Sequence, residues 1–185
     1  MKRIEDISIF GEYQKKENRV TASFLQICKA GGEDLIRFLS NTLGMPLPSS
    51  EIDIFSQPTG EESDSVPDGL LKSDFSFRIY VESKIAEKSI NVPQLNEHLK
   101  ELKTKFDFLL YLTPDEEKPH ELGENVYWAN WINIINTFND YLQNTQSDNS
   151  QLLEFLIEHF NTLLDNLHLI GYSWDLDNEN VIVLA

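Results

Sequence analysis

A chain of 185 residues, 41% of them apolar, is long enough to form one domain with its own hydrophobic core. No window approaches the roughly 20 uninterrupted apolar residues of a membrane helix, and the opening residues lack the apolar region of a signal peptide. We therefore expect a cytoplasmic protein. The single cysteine, Cys28, excludes an internal disulfide and a cysteine-based metal site, and its apolar surroundings favour a buried packing role.

The net charge of −16 argues against a nucleic-acid partner, because an acidic surface repels a phosphate backbone. The charge is unevenly distributed along the chain, however. Residues 1–30 and residues 70–105 each carry a net charge of +2, whereas the remaining residues carry −20. The pattern is compatible with one face that meets a polyanion, and equally with an acidic solvated surface that has no partner.

The first predicted elements are two helices and a strand. Apolar residues recur at helical spacing over residues 17–30 and again over residues 32–44, where the pattern ends at a glycine. Residues 51–55 alternate between polar and apolar, which indicates a strand. An acidic polar link follows this strand.

A hairpin is predicted next, with strands at residues 69–72 and 75–85 and a turn near Ser73 and Asp74. The later elements are a helix, two strands and two helices, at residues 92–106, 106–114, 125–131, 131–142 and 150–167. The strand, helix, strand order suggests a right-handed parallel crossover. The last five residues are strand-like, either as an edge strand or as the point where a longer chain was cut.

The second strand of the hairpin carries candidate chemistry. Side chains two apart on a strand point to the same side, so Tyr80, Glu82 and Lys84 share one face. Asp68 lies fourteen residues before Glu82, about the length of two short strands and a tight turn, so the hairpin brings it back toward Glu82. Two carboxylates beside one lysine suit a Mg²⁺-dependent hydrolysis of a phosphodiester. Glu-x-Lys is, however, also a common spacing on the exposed face of an amphipathic strand.

In this order the motifs resemble the PD-(D/E)xK nuclease superfamily, with its restriction-endonuclease-like core, and are similar to its bacterial defence-associated members. The matching features, in chain order, are the "ENRVT" that opens the first helix, Pro67-Asp68, the strand "FRIYV", Glu82-Ser83-Lys84, the helix "QLNEHL", the strand "FLLYLTP" and the segment "YWANWINIINTF". The resemblance covers roughly residues 10–145 of one domain at 1–185. It implies an α/β fold with a mixed central sheet flanked by helices, and a C-terminal extension at 146–185.

The resemblance implies a role for each matched residue. Asp68 and Glu82 would ligate Mg²⁺ or Mn²⁺, and the main-chain carbonyl of Ser83 would add a third oxygen. Lys84 would be the catalytic lysine, which positions water or stabilises developing charge. These roles describe a metal-dependent deoxyribonuclease in bacterial defence or DNA processing.

Two further residues take a role from the resemblance, each with an ordinary alternative. Gln94 would lie at the substrate edge of its helix; the alternative is an exposed residue of that helix with no role in the site. Glu17 would be an outer carboxylate of the site, although the helix dipole alone favours an acidic residue there. His98 stands where many relatives of the resembled family have a tyrosine, and it is predicted to be a surface residue of its helix, with a catalytic base as the alternative. Trp128 and Trp131 are expected to pack in the core or partly exposed beside it, and not to stack on nucleic-acid bases.

The pattern leaves alternatives open. One is a nuclease-like module that no longer cuts, or an acidic domain that binds a basic partner, as the −20 outside the two basic blocks suggests. DNA is not distinguished from RNA, nor endonuclease from exonuclease. A homodimer is one way for a single site per chain to cut two strands, and two successive cuts are another.

Overall fold

The computed structural model describes residues 15–48, 51–56, 68–73, 77–102, 104–123, 125–145 and 150–170. In chain order, these ranges contain α1 (Lys16–Thr42), β1 (Asp53–Ser56), β2 (Gly69–Ser73), β3 (Phe77–Ser83), α2 (Val92–Lys100), β4 (Asp107–Thr113), β5 (Val126–Asn130), α3 (Trp131–Asn144) and α4 (Ser150–Asn166). The predicted type of every element within the described residues is confirmed.

The strands form one mixed sheet in the order β1-β2-β3-β4-β5. The first three strands are antiparallel, and β3, β4 and β5 are parallel. The predicted hairpin is the pair β2 and β3, and the predicted parallel crossover runs from β3 through α2 to β4. The α/β class with helices around a mixed sheet is therefore confirmed, and β3 is the strand at which the sheet changes from antiparallel to parallel.

The two helices predicted at the start form the single element α1, which bends at Gly32. The backbone angles of Gly32 are φ 64° and ψ −159°, a region that is open to glycine and costly for a residue with a Cβ atom. The bend lets both halves of α1 turn apolar residues inward, for example Phe24 before it and Leu39 after it. The sequence pattern was thus right about two amphipathic segments, which are joined without a loop.

Helices cover both faces of the sheet and divide the apolar core into two clusters. On one face, α1, α3 and α4 bury Ile79 and Val81 of β3 together with Cys28 and Trp131. On the other face, α2 covers a smaller cluster with members on β2, β3, β4 and β5: Leu70, Tyr80, Leu95, Leu109, Tyr111 and Val126. The burial expected for the cysteine and for Trp131 is confirmed, since both are 0% exposed.

Several sequence predictions fall on residues that the structure does not describe. The turn at Asp74, the proline of the Pro67-Asp68 motif and the strand-like last five residues lie outside the described ranges. Of the predicted extension at 146–185, α4 is described and confirmed as a helix. Among the described helices, none is both long and apolar enough to cross a membrane.

Candidate active site

The candidate site lies at the end of β3, where the main chain is held by its neighbours. The Lys84 amide donates a hydrogen bond to the Leu112 carbonyl at 2.8 Å, which extends the parallel pairing with β4 by one residue. The Lys84 carbonyl accepts a hydrogen bond from Trp131 Nε1 at 3.1 Å. Trp131 begins α3 and is fully buried, so the core fixes the backbone that carries the lysine.

Asp68 meets the end of β3 from the strand beside it. Gly69 pairs with Val81 in the antiparallel register, so one step further along the hairpin brings Asp68 opposite Glu82. Asp68 Oδ2 accepts hydrogen bonds from the Ser83 amide at 3.0 Å and from Ser83 Oγ at 3.4 Å. The hairpin therefore returns Asp68 to this end of the strand, as the spacing predicts.

Glu82 is the centre of the polar contacts, although its side chain is only 1% exposed. Its Oε1 atom accepts hydrogen bonds from Lys84 Nζ at 2.6 Å and from Gln94 Nε2 at 2.7 Å. Its Oε2 atom lies 3.4 Å from His98 Nε2. Glu-x-Lys on an exposed face, the ordinary alternative for this motif, is wrong because the glutamate is buried in the middle of a polar cluster.

The first turns of α1 complete the site from the other side. Lys84 Nζ lies 3.2 Å from Glu17 Oε1, so the ammonium bridges a buried carboxylate and a partly exposed one. The Thr21 and Ser83 hydroxyls are 2.5 Å apart, which attaches α1 to the end of β3. The predicted set of Asp68, Glu82, Ser83, Lys84, Gln94 and Glu17 is thus brought to one place.

No family model, curated protein or solved structure matches this chain. The geometry and electrostatics of the cluster itself are therefore the basis for a functional assignment.

Burial and neighbouring charges shift the pKa values of the two carboxylates of the cluster in opposite directions. Burial raises the pKa of Asp68 to about 6, with a further contribution from the charge of Glu82. Burial alone would also raise the pKa of Glu82, but the His98 and Lys84 side chains more than offset it and hold that pKa below its usual range. Burial would lower the pKa of Lys84, yet Glu82 and then Glu17 raise it. Near pH 6 the cluster therefore holds a charged glutamate, a charged lysine and an aspartate that is partly protonated.

His98 is not at the surface, and its prediction as a surface residue is wrong. It is 0% exposed and lies beside Glu82. Gln94 and His98 are four residues apart on α2, so both project from the same face of the helix. Once Gln94 is assigned to the site, this spacing brings His98 there too, and that is the feature which could have located it.

Tyr111 of β4 is a residue of this region that sequence reasoning missed. It pairs with Glu82 in the parallel register and is 1% exposed. The run "FLLYLTP" is apolar enough to be interpreted as strand packing alone. Only the register between β3 and β4, which the sequence does not supply, shows that this tyrosine neighbours the glutamate.

The chemistry of the donors fits a hard divalent cation such as Mg²⁺. Among the described residues, no group of three or more histidine, cysteine, aspartate or glutamate side chains is arranged to hold a metal ion. Magnesium, however, needs only one or two carboxylates, with its other positions taken by waters and substrate oxygens. Asp68 and Glu82 offer those carboxylates, and the carbonyl of Ser83 is the third oxygen that the resemblance implies. Their mutual repulsion, which contributes to the raised pKa of Asp68, is of the kind that a cation relieves.

The raised pKa of Asp68 predicts a dependence of stability on pH. Because the folded protein binds this proton more tightly than the unfolded chain, the contribution of Asp68 to the free energy of unfolding falls as pH rises from about 4 through 6. Asp68→Asn should therefore gain stability relative to the wild type on going from pH 5 to pH 8. Urea unfolding at the two pH values measures the difference, with the exposed Glu116→Gln as a control. A relative gain that is larger at pH 5 contradicts the prediction.

Proposed function

We propose that this chain is a Mg²⁺- or Mn²⁺-dependent nuclease that hydrolyses DNA phosphodiester bonds. The observation that carries the proposal is the position of the Lys84 ammonium, 2.6 Å from Glu82 Oε1 and 3.2 Å from Glu17 Oε1, at a strand end that Asp68 also reaches. The proposal includes a restriction-endonuclease-like fold, a cytoplasmic role in bacterial defence or DNA processing, and a dimer or two successive cuts for double-stranded DNA.

Each side chain has a distinct role in this proposal. Asp68 and Glu82, with the Ser83 carbonyl, would hold the cation, which supplies Lewis acidity for water and for the phosphate oxygens. Lys84 donates hydrogen bonds to the negative charge that develops on the phosphoryl oxygens, and its raised pKa keeps it protonated for this role.

Two neighbours keep these groups in position. Gln94 Nε2 donates to Glu82 Oε1 and fixes the orientation of that carboxylate. Glu17 attracts the lysine from the side of α1 and keeps its ammonium at the mouth of the cluster. Both residues therefore act through another side chain, in the manner of outer groups that orient the ligands of a metal site.

Metal binding and cleavage test the proposal together. Calorimetric titration with Mg²⁺ should give a saturable isotherm for the wild type, which Asp68→Asn and Glu82→Gln abolish and Glu116→Gln leaves unchanged. Supercoiled DNA should be cut by the wild type in Mg²⁺ or Mn²⁺ and left intact in EDTA. Absence of cleavage with both metals, or equal metal binding by the wild type and Glu82→Gln, refutes the proposal.

A second candidate function, a nuclease-like module that binds a basic partner, is favoured by the surface next to the site. The loops after β3 and β4 line an open cleft of about 660 Å³ with five carboxylates and two lysines. Its members are Glu87, Lys88, Ile90, Asp115, Glu116, Glu117, Lys118, Pro119, His120 and Glu121. Such a cleft repels a phosphate backbone and attracts a cationic peptide.

The hydrogen bonds that Glu82 already receives are compatible with this second candidate. Lys84 and Gln94 already donate to its Oε1 atom, so the carboxylate is internally compensated without a cation. A binding module should show no Mg²⁺ isotherm and no cleavage, yet should bind a polylysine peptide in a salt-dependent manner. Replacement of Glu116 and Glu117 by glutamine should weaken that binding, whereas Lys84→Met should not.

A further inference from the structure

The Tyr111 hydroxyl is a polar group without a hydrogen-bond partner in the described part of the chain. It is buried, and within the described residues no side chain or main-chain group forms a hydrogen bond with it. An unpaired buried hydroxyl is costly, and native proteins commonly satisfy such groups with ordered water. Tyrosine hydroxyls at neutral pH are donors as well as acceptors. We therefore expect an acceptor close enough to the Tyr111 hydroxyl to satisfy it through an ordered water.

A candidate acceptor lies on the adjacent strand. Glu82 pairs with Tyr111 in register, and paired residues on strands about 4.8 Å apart project from the same face of the sheet. Glu82 Oε2 is itself buried and forms no hydrogen bond with the described residues, although His98 Nε2 lies 3.4 Å from it in a geometry that does not make one. The charges of Lys84 and Glu82 also influence the pKa of Tyr111, after the larger effect of burial, which raises it to about 12.

We propose that the Tyr111 hydroxyl and Glu82 Oε2 hold one buried water molecule between them, which makes Tyr111 a positioning residue for the Glu82 carboxylate. The Tyr111 hydroxyl and Glu82 Oε2 are both buried and polar, and together they supply the minimum of two partners, within the usual range of about two to four, that a buried water requires. The water satisfies a donor on β4 and an acceptor on β3 at once, and so couples the orientation of the carboxylate to the second strand of the crossover. The effect on catalysis rests on the proposed nuclease function, but the water site does not.

Tyr111→Phe tests the inference because it removes the hydroxyl and nothing else. With a bridging water, the variant should melt about 2–4 °C below the wild type, the shift expected for loss of one ordinary hydrogen bond in a protein of this size. An unpaired hydroxyl gives the opposite sign, because its removal relieves an unsatisfied group. A crystal structure of the wild type should show water density between Tyr111 Oη and Glu82 Oε2. A rise in the melting temperature, or density that excludes water there, overturns the inference.

Activity provides a separate measurement. Tyr111→Phe should lower kcat about 10-fold or more with KM for DNA unchanged, as for other groups that orient a metal ligand. Tyr80→Phe is the matched control, since Tyr80 belongs to the same apolar cluster but donates to Glu101 Oε2 at 3.1 Å; it should keep the wild-type kcat. Equal kcat for the wild type and Tyr111→Phe overturns the positioning role. If the wild type cuts no DNA, the nuclease proposal fails, while the melting shift and the water density still decide the water site.

Discussion

Lys84→Met should reduce the rate of DNA cleavage by about 10²–10³-fold, the usual effect of removing one donor that stabilises transition-state charge. Methionine keeps most of the apolar stem but removes the ammonium that lies between Glu82 and Glu17. The loss should appear in kcat, because the donor acts on charge that develops during the reaction. Initial rates on supercoiled DNA at saturating Mg²⁺, compared with the wild type, measure it.

A matched substitution separates this effect from the loss of a positive charge in general. Lys100 lies on α2, its side chain is 69% exposed, and it pairs only with Glu97 among the contacts described, so Lys100→Met should retain wild-type cleavage. Circular dichroism and thermal melting must show that Lys84→Met is folded, since the variant leaves Glu82 without a positive partner at 2.6 Å. Cleavage by folded Lys84→Met at the wild-type rate contradicts a catalytic role for the lysine.

Trp131→Ala should lower the free energy of unfolding by about 3–5 kcal/mol, the range for truncation of a fully buried aromatic side chain. Trp131 is 0% exposed and contacts the Phe160 ring edge-on, with the centroids 6.1 Å apart. The substitution also removes the donor for the Lys84 carbonyl. Urea unfolding monitored by far-ultraviolet circular dichroism gives the difference.

Two further variants help to interpret the stability loss of Trp131→Ala. One separates packing from hydrogen bonding, and the other compares a less buried tryptophan. Trp131→Phe retains much of the ring and loses the hydrogen bond to the Lys84 carbonyl, so its stability loss should be smaller while its cleavage rate still falls. Trp128→Ala changes a partly exposed indole on β5 and should cost less than Trp131→Ala. A loss below about 1 kcal/mol for Trp131→Ala would mean that this indole is not a central part of the core.

The secondary structure of this chain was predictable because its apolar periodicities are strong and local. The helical spacing in α1 and the alternation in β3 each depend on residues close in sequence. The approach of Asp68 to β3 was also predictable, because a hairpin with a short turn fixes which residues face each other. All of these features depend on residues that lie close together in the sequence.

The features that were missed depend on how distant segments pack. Burial of His98 requires the docking of α2 over the sheet, and an isolated amphipathic helix pattern does not say how far its polar edge is covered. Tyr111 can be placed beside Glu82 only when the register between β3 and β4 is known, and these two parallel strands are separated in the chain by a helix. Apolar periodicity specifies which faces are buried, but not the relative shift of non-local strands.

The change from antiparallel to parallel pairing at β3 has a consequence for when the candidate site forms during folding. The hairpin of β2 and β3 pairs residues that are close in sequence, such as Ser73 and Phe77, whereas Ser83 meets Thr21 across 62 residues and Lys84 meets Trp131 across 47. Contacts of such separation form late, because they carry the entropy of closing long loops. We therefore expect a nascent chain that still lacks α3 to have an incomplete site. The cluster at the end of β3 is complete only when α1, the parallel half of the sheet and α3 have packed together.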